Sequence, residues 1–134
     1  MSWTRHWPLR FSHCDPAGIA YYPKLFELLD NAIEEWTSEV IGVPRDVMHR
    51  DMDRGMPTVT MAARFEAVSY HGDMLDIVLD VTRVGRSSID FTVAVSCAGR
   101  TRFAVDYRQV FADQKTRRAL PWPDDLRSRL ENRP

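Results

Sequence analysis

Three segments in the second half of the chain alternate apolar and polar residues with a period of two, and this pattern restricts the fold more than any other feature. Such alternation predicts strands that each have one apolar face. The apolar positions are Leu75, Ile77, Leu79 and Val81, then Ile89, Phe91, Val93, Val95 and Cys97, then Phe103, Val105 and Tyr107. Each segment follows a glycine turn, at Gly72, Gly85 and Gly99. Because the connections are short, neighbouring strands are predicted to pair antiparallel, and the sheet must cover something with its apolar face.

The chain contains one long amphipathic helix that can fill this face. Beyond Pro23, apolar side chains recur at steps of three and four residues, at Phe26, Leu29, Ile33, Trp36 and Val40. Pro23 suits the first turn of a helix, and Gly42 followed by Pro44 ends it. Residues 7–11 and 58–67 are predicted as two further strands. The sequence therefore predicts an α+β fold, with an antiparallel sheet wrapped around a single helix.

Length and charge restrict the organisation of the chain and its partners. The chain has 134 residues and a formal net charge of -1. We expect one domain over residues 1–134, with a core at 1–120 and a C-terminal tail or short helix at 121–134. The balanced charge argues against a nucleic-acid partner, and no apolar run is long enough to cross a membrane. Two cysteines and the absence of a signal-peptide pattern favour a cytoplasmic protein without a disulfide scaffold.

The most unusual local sequence joins the first predicted strand to the helix. Residues 11–23 read Phe-Ser-His-Cys-Asp-Pro-Ala-Gly-Ile-Ala-Tyr-Tyr-Pro, which places the Asp15 carboxylate in a tight turn beside the unpaired N–H groups of a helix start. Those N–H groups can hold an oxyanion while a carboxylate attacks a carbonyl or activates a water. The alternative interpretation is structural, with Asp15 capping the Pro16 turn through an Asx-type hydrogen bond. The residues alone leave both interpretations open.

Two other chemistries have weaker support in the spacing of the residues. His13, Cys14 and Asp15 are adjacent, and neighbouring side chains of an extended chain point to opposite sides, so a nucleophilic triad is not expected. The four histidines lie far apart, without the spacing of metal ligands. We therefore expect no metal site and no cofactor.

Residues 15–23, Asp-Pro-Ala-Gly-Ile-Ala-Tyr-Tyr-Pro, resemble the signature of the 4-hydroxybenzoyl-CoA thioesterase family of hotdog-fold acyl-CoA thioesterases. The likeness extends to Asp30 in the helix, to Gly55-Met56-Pro57 before the strands and to Gly85-Arg86-Ser87-Ser88 at a hairpin. This family folds as a five-stranded antiparallel sheet around a long helix, which agrees with the residue pattern. The resemblance implies a thioesterase for an aromatic or short- to medium-chain acyl-CoA, with coenzyme A as part of the substrate.

The resemblance also implies roles for individual residues. Asp15 would be the nucleophile or the general base, and the backbone N–H of Tyr22 would polarise the thioester carbonyl from the helix N-terminus. Substrate contacts are implied for Gly18, Tyr21, Asp30, Thr58 and Thr60, and CoA contacts for Arg86, Ser87 and Ser88. The sequence does not separate covalent attack by Asp15 from activation of a water. Simpler alternatives are packing for Tyr21 and Tyr22, and solvent exposure for Asp30 and Arg86.

Two other functions stay open from the sequence. One is a hotdog dehydratase or hydratase, which would need His13 or His71 as its base, and the other is a module that binds acyl-CoA without turnover. The predicted sheet also leaves edge strands whose free N–H and C=O groups invite pairing with a second copy. Because the resemblance points the same way, we expect a homodimer or homotetramer. Asp15 of one subunit would then work with residues 55–60 and Arg86 of the other.

Overall fold

The protein is built on one five-stranded antiparallel sheet. The computed structural model describes residues 2–133, and Met1 and Pro134, the ends of the predicted domain, lie outside the described residues. The strands are β1 (Trp3–Pro8), β3 (Thr58–Phe65), β4 (Met74–Val84), β5 (Ser88–Cys97) and β6 (Arg100–Val110), and their order in the sheet is β1-β4-β5-β6-β3. Two short strands, β2 (Arg54–Gly55) and β7 (Ala112–Asp113), pair with each other.

One long helix lies against the apolar face of the sheet. The helix α1 (Tyr22–Trp36) continues into a π-helical turn, Thr37–Ile41, which stops at Gly42 in the left-handed conformation with φ 80°. Leu29 and Ile33 have no exposed surface, and the Trp36 ring meets Phe91 of β5 edge-on with 5.0 Å between the ring centroids. The inward side chains of the three alternating strands complete this core, as their period of two requires. The predicted α+β architecture is confirmed.

The first strand lies earlier in the chain than residues 7–11, where it was predicted. The strand β1 covers Trp3–Pro8, and Phe11–His13 form a 3-10 turn. The pairing with β4 ends at Pro8, and Leu9 still donates its N–H to Asp73 O and accepts the Gly72 N–H. The strand predicted over residues 58–67 is β3, which ends two residues sooner, at Phe65.

Two short helices pack around this centre. The helix α2 (Arg45–Arg50) occupies the polar region after Pro44, and α3 (Asp124–Glu131) occupies the C-terminal segment. Leu126 and Leu130 of α3 are buried, and the Trp122 ring lies 4.9 Å from that of Phe111. The C-terminal segment is therefore attached to the core. Within residues 2–133, none of the helices combines the length and apolar character needed to span a membrane.

The edge strand β3 is not covered by α1. All eight of its residues are exposed, although several are apolar. Val59, Met61 and Phe65 keep 51%, 44% and 52% of their surface in solvent. An edge strand with exposed apolar side chains is the kind of surface that pairs with another chain.

Replacement of Leu29 tests whether the packing of α1 on the sheet stabilises the fold. Leu29→Ala should lower the free energy of unfolding by about 3 to 5 kcal/mol, because it removes buried methyl groups and leaves a cavity in the core. The exposed Asn31→Ala on the same helix is the control and should change the stability by about 0.5 kcal/mol or less. Urea denaturation followed by circular dichroism measures both values, and equal losses would contradict this account of the core.

Candidate active site

The Asp15 side chain is held by its own loop. Its carboxylate oxygen Oδ1 accepts hydrogen bonds from the N–H groups of Ala17 at 2.9 Å and Ile19 at 3.3 Å. The backbone closes the same loop, since Asp15 N–H donates to Ile19 O and Gly18 N–H donates to Asp15 O. Gly18 has φ 78°, a conformation that favours glycine, so its contribution is to the turn. The predicted cap at Asp15 is therefore present, and Oδ2 accepts no hydrogen bond from residues 2–133.

The loop ends at the N-terminus of α1. Tyr21 precedes the helix in an extended conformation and donates its N–H to His13 O at 2.9 Å. Tyr22 is the first helical residue, and within the described residues its N–H has no acceptor. A free N–H at this end of a helix carries the positive end of the helix dipole. One loop thus carries an unpaired carboxylate oxygen and an unpaired N–H donor.

The rings of Tyr21 and Tyr22 do not form a closed pocket in a single protomer. They keep 52% and 58% of their surface exposed. The Tyr22 ring meets Phe26 and Phe65 edge-on at 6.1 Å and 6.2 Å. This aromatic group extends from the start of α1 to the exposed edge strand β3.

His13 and Cys14, the neighbours of Asp15, are engaged in other contacts. His13 Nδ1 accepts the Arg10 N–H at 2.9 Å, and burial lowers the pKa of this histidine. The Cys14 thiol donates to Arg10 O, and burial, with the nearby Asp15 and Asp73 carboxylates, raises the pKa of that thiol. A protonated thiol is a poor nucleophile. The structure therefore agrees with the expectation that these three residues form no triad.

A cavity of about 620 Å³ lies between α1, α2 and the β2–β7 pair. Asp30 and Thr58, two of the predicted substrate contacts, both line it. The motif Gly55-Met56-Pro57 forms part of the same wall, together with Arg45, His49, Gln109, Ala112, Asp113, Gln114 and Arg117. The tertiary structure thus joins the helix carboxylate to the segment before β3.

Gln109 is a polar side chain buried at the wall of this cavity. It is 1% exposed, and its Nε2 donates to Thr58 Oγ1 at 3.2 Å, while Oε1 has no partner among residues 2–133. A buried amide oxygen without a donor is costly unless a ligand or water satisfies it. Sequence reasoning missed Gln109, although a signal existed. It continues the inward alternation of Phe103, Val105 and Tyr107 and is the polar residue in that row.

Four charged residues line this cavity: Asp30, Arg45, Asp113 and Arg117. Burial lowers the pKa of Arg45, and the Asp30 and Glu34 carboxylates oppose this shift. Burial raises the pKa of Tyr107, and Asp30 raises it further. Asp30 thus acts electrostatically on both neighbours, although its own side chain is exposed at the mouth of the cavity. A ligand here would meet a carboxylate, an arginine and an amide.

Thr60 does not reach this cavity. A register irregularity between Thr58 and Thr60 places Thr58 opposite Gln109 and Thr60 opposite Arg108. Gln109 is buried on the inner face, whereas Arg108 binds Asp90 with two hydrogen bonds of 2.8 Å and 3.0 Å. The two threonines therefore lie on opposite faces of the sheet. The predicted pair of substrate contacts is separated by a bulge.

Arg86, Ser87 and Ser88 belong to the turn that connects β4 to β5. Arg86 is exposed, and Ser87 and Ser88 are half-buried. Gly85 opens the turn, and a Cβ at that position would collide with Ser88 Oγ, so a larger residue would distort it. In the part of the chain that the structure describes, the N–H groups of Arg86 and Ser87 have no acceptor.

Apart from Thr60, the predicted residues form three separate groups on one protomer. Asp15 and Tyr22 share a loop, Asp30 and Thr58 share a cavity, and the turn at residues 85–88 stands by itself. Asp15 does not line the cavity. The structure of one chain therefore does not bring the candidate catalytic carboxylate to the predicted acyl contacts. No group of three His, Cys, Asp or Glu side chains suited to a metal ion occurs within residues 2–133.

Comparison with known proteins identifies a family. Residues 9–130 match the model of the thioesterase-like superfamily. A 1,4-dihydroxy-2-naphthoyl-CoA hydrolase of Thermosynechococcus vestitus is 26% identical over 127 residues, which cover 94% of this chain and 86% of the relative. The 4-hydroxybenzoyl-CoA thioesterase of Pseudomonas sp. strain CBS-3 superposes with a TM-score of 0.86 at 27% identity, covering 96% of this chain and 98% of that one. A thioesterase-superfamily structure from Jannaschia sp. CCS1 gives a TM-score of 0.89 at 28% identity, with 98% and 92% covered.

These similarities concern the whole fold and not one motif. The family model spans the segment from the start of the Asp15 loop to the end of α3, and the superposed structures cover nearly the full chain. The relatives with assigned activities are named as hydrolases or thioesterases of CoA esters. The chain therefore belongs to the thioesterase-like superfamily and is a thioester hydrolase with the hotdog fold.

Proposed function

We propose that the protein hydrolyses an acyl-CoA, with the Asp15 carboxylate as the catalytic group and the Tyr22 N–H as the oxyanion donor. One observation carries the proposal: a carboxylate oxygen and a helix N-terminal N–H, both without partners among residues 2–133, lie on the same closed loop. Acyl transfer needs a nucleophile or base beside a donor that stabilises the negative charge on the carbonyl oxygen. The Asp15 loop supplies both.

The reaction balances with these groups alone. In the covalent route, Asp15 Oδ2 attacks the thioester carbon, Tyr22 N–H donates to the carbonyl oxygen, and the CoA thiolate leaves and takes a proton from water. Water then cleaves the mixed anhydride, which releases the acid and restores Asp15. In the second route, Asp15 accepts a proton from the water that attacks the same carbon. Both routes need a charged Asp15, and neither uses a metal or a cofactor.

The cavity beside Asp30 is proposed to hold the acyl group, and this group is proposed to be aromatic with polar substituents. Met56, Pro57 and Ala112 supply apolar wall, while Asp30 and the Gln109 Oε1 atom supply acceptors. A volume of about 620 Å³ suits a small organic ligand. The names of two similar proteins support this class, since they specify a dihydroxynaphthoyl-CoA and a hydroxybenzoyl-CoA.

A second copy of the chain is proposed to bring Asp15 and this cavity together. Within residues 2–133, β3 pairs with β6 alone, so one side of its backbone is open. Pairing of two such edges around a two-fold axis would extend the sheet and cover Val59 and Met61, which are exposed in one protomer. The proposed assembly is a homodimer with shared sites, or a homotetramer of two such dimers.

The turn at residues 85–88 is proposed to bind the phosphates of CoA. The Arg86 guanidinium can donate two parallel hydrogen bonds to one phosphate, and Ser87 and Ser88, which follow it in the chain, carry hydroxyl groups.

Hydrolysis has better support than hydration or dehydration. A dehydratase would need His13 or His71 as its base, whereas the similar proteins with assigned activities are named as a hydrolase and a thioesterase. His13 Nδ1 also already accepts the Arg10 N–H.

Asp15→Asn tests the catalytic carboxylate. The amide oxygen can still accept the N–H groups of Ala17 and Ile19, so the loop should stay closed while the charge is lost. We expect kcat to fall by roughly three orders of magnitude or more with CoA binding retained. Release of CoA thiol, detected with a thiol reagent across hydroxybenzoyl, benzoyl, phenylacetyl and aliphatic CoA esters, measures this. If a folded Asn variant kept near wild-type turnover, Asp15 would have only the structural role of capping its loop.

Gln109→Met tests the acyl pocket. The change keeps the side-chain length but removes the amide, whose Oε1 has no partner among residues 2–133. The ratio of kcat/KM for a hydroxybenzoyl-CoA to that for benzoyl-CoA should fall by about fivefold, since a hydrogen bond to a buried amide contributes on the order of 1 kcal/mol. Benzoyl-CoA is the internal control because it has no hydroxyl group. An unchanged ratio in a folded variant would place the acyl group elsewhere.

Mixing two impaired chains, one defective in catalysis and the other in CoA binding, tests the shared site. An Asp15→Asn chain exchanged with an Arg86→Ala chain should form heterodimers with one intact site, because each chain supplies what the other lacks. Activity at low substrate concentration should therefore exceed the mean of the two separate variants. Absence of recovery after verified subunit exchange would place both residues on one chain. Light scattering at assay concentration provides a second measurement, and a fully active monomer would refute the shared site.

A further inference from the structure

Every carbonyl oxygen of the turn between β4 and β5 is engaged by a hydrogen bond. Four of these bonds come from the C-terminal segment, one comes from the residue after β6 and one comes from within the turn. The acceptors and donors are Gly85 O with Arg127 Nη2 at 2.6 Å, Arg86 O with Trp122 N at 3.0 Å and Arg127 Nη2 at 3.4 Å, Ser87 O with Phe111 N at 2.7 Å, and Ser88 O with Trp122 Nε1 at 3.1 Å and Gly85 N at 2.8 Å. These acceptors are therefore directed into the protein.

The donors of the same turn remain available. Neither the Arg86 N–H nor the Ser87 N–H has an acceptor among residues 2–133, and the Arg86 side chain is exposed. An anion that approached this turn would meet N–H, hydroxyl and guanidinium donors, while the carbonyl oxygens that would repel it are occupied. Successive free N–H groups of this kind form an anion-binding concavity.

The segment that holds the carbonyls is itself anchored at several points. Leu126 and Leu130 are buried in the core, and the Trp122 ring packs on Phe111. The segment from Trp122 to α3 thus connects the turn to the core.

We propose that Trp122 and Arg127 are positioning residues for the phosphate end of CoA, because they hold the carbonyls of Gly85, Arg86 and Ser88 away from the ligand. This inference rests on the proposed function, which assigns the CoA phosphates to that turn. It adds the C-terminal segment to the substrate site, although neither residue contacts the substrate. We call the hydrogen bonds from Trp122 and Arg127 to these carbonyls the clamp. Loss of the clamp should weaken binding of the phosphates and leave the chemistry at Asp15 unaffected.

The chain offers a matched pair of arginines for the test. Arg127 and Arg129 lie on the same helix and each donates to a backbone carbonyl, but Arg129 reaches Ile41 and not the turn. Arg127→Met removes the clamp, Arg127→Lys keeps one donor and the charge, and Arg129→Met is the control. Trp122→Phe keeps the ring on Phe111 and removes the Nε1 donor, so it tests the same clamp if Arg127→Met folds poorly.

The measurements are KM and kcat for an acyl-CoA and for the matching acyl-pantetheine, CoA binding by calorimetry, and unfolding temperature. Arg127→Met should raise KM for the acyl-CoA by about five- to tenfold, with kcat and the acyl-pantetheine KM within about twofold of wild type. Arg127→Lys should recover most of the loss, and Arg129→Met should leave KM unchanged. Equal increases of KM for both substrates, or the same increase in Arg129→Met, would overturn the inference.

If the proposed function is wrong, the wild-type protein should release no thiol from any acyl-CoA, which distinguishes that result from failure of the clamp alone. Calorimetry would still compare CoA binding by Arg127→Met and Arg129→Met. Weaker binding in Arg127→Met alone would then support the clamp, and equal binding would refute it.

Discussion

The burial of α1 against the concave face of the sheet is the interaction on which the rest of the structure depends. Leu29 and Ile33 lose all contact with solvent, and Trp36 packs edge-on against Phe91. Burial of apolar surface is the main favourable contribution to folding, at about 25 cal/mol per Å². Because the core holds α1 along its length, it also fixes the N-terminus of the helix, where the Tyr22 N–H is presented. The site therefore depends on the core for its position.

The Asp15 loop shows that a structural and a catalytic role are compatible in one carboxylate. Two backbone N–H groups hold Oδ1, and this fixes the direction of Oδ2. A side chain held in this way loses little conformational freedom when the reaction begins, which favours catalysis. The two interpretations that the sequence left open at Asp15 are therefore compatible, with Oδ1 in the observed cap and Oδ2 in the proposed catalytic role.

A single protomer has features that an assembly would explain. The strand β3 exposes Val59, Met61 and Phe65, while the cavity that contains Asp30 and Gln109 lies apart from Asp15. The C-terminal segment has the opposite character, because Trp122 and the α3 leucines are buried and the arginines reach backbone carbonyls. The exposed edge strand β3 is therefore suited to contact with a second copy of the chain. The C-terminal segment instead supports the turn at residues 85–88 within the same chain.

The sequence by itself determined the α+β architecture, because the period-two alternation of three strands and the stripe of one helix leave few ways to bury their apolar faces. It also pointed to Asp15 and Tyr22, since turn chemistry and a helix start are local features. The tertiary structure alone decided what depends on contacts between distant segments. The bulge that separates Thr58 from Thr60 comes from the pairing of β3 with β6. Contacts between distant segments also place the Gln109 amide at the cavity and bring Trp122 and Arg127 to the turn at residues 85–88. Long-range packing decides these contacts, because the residues are far apart in the sequence and no local pattern relates them.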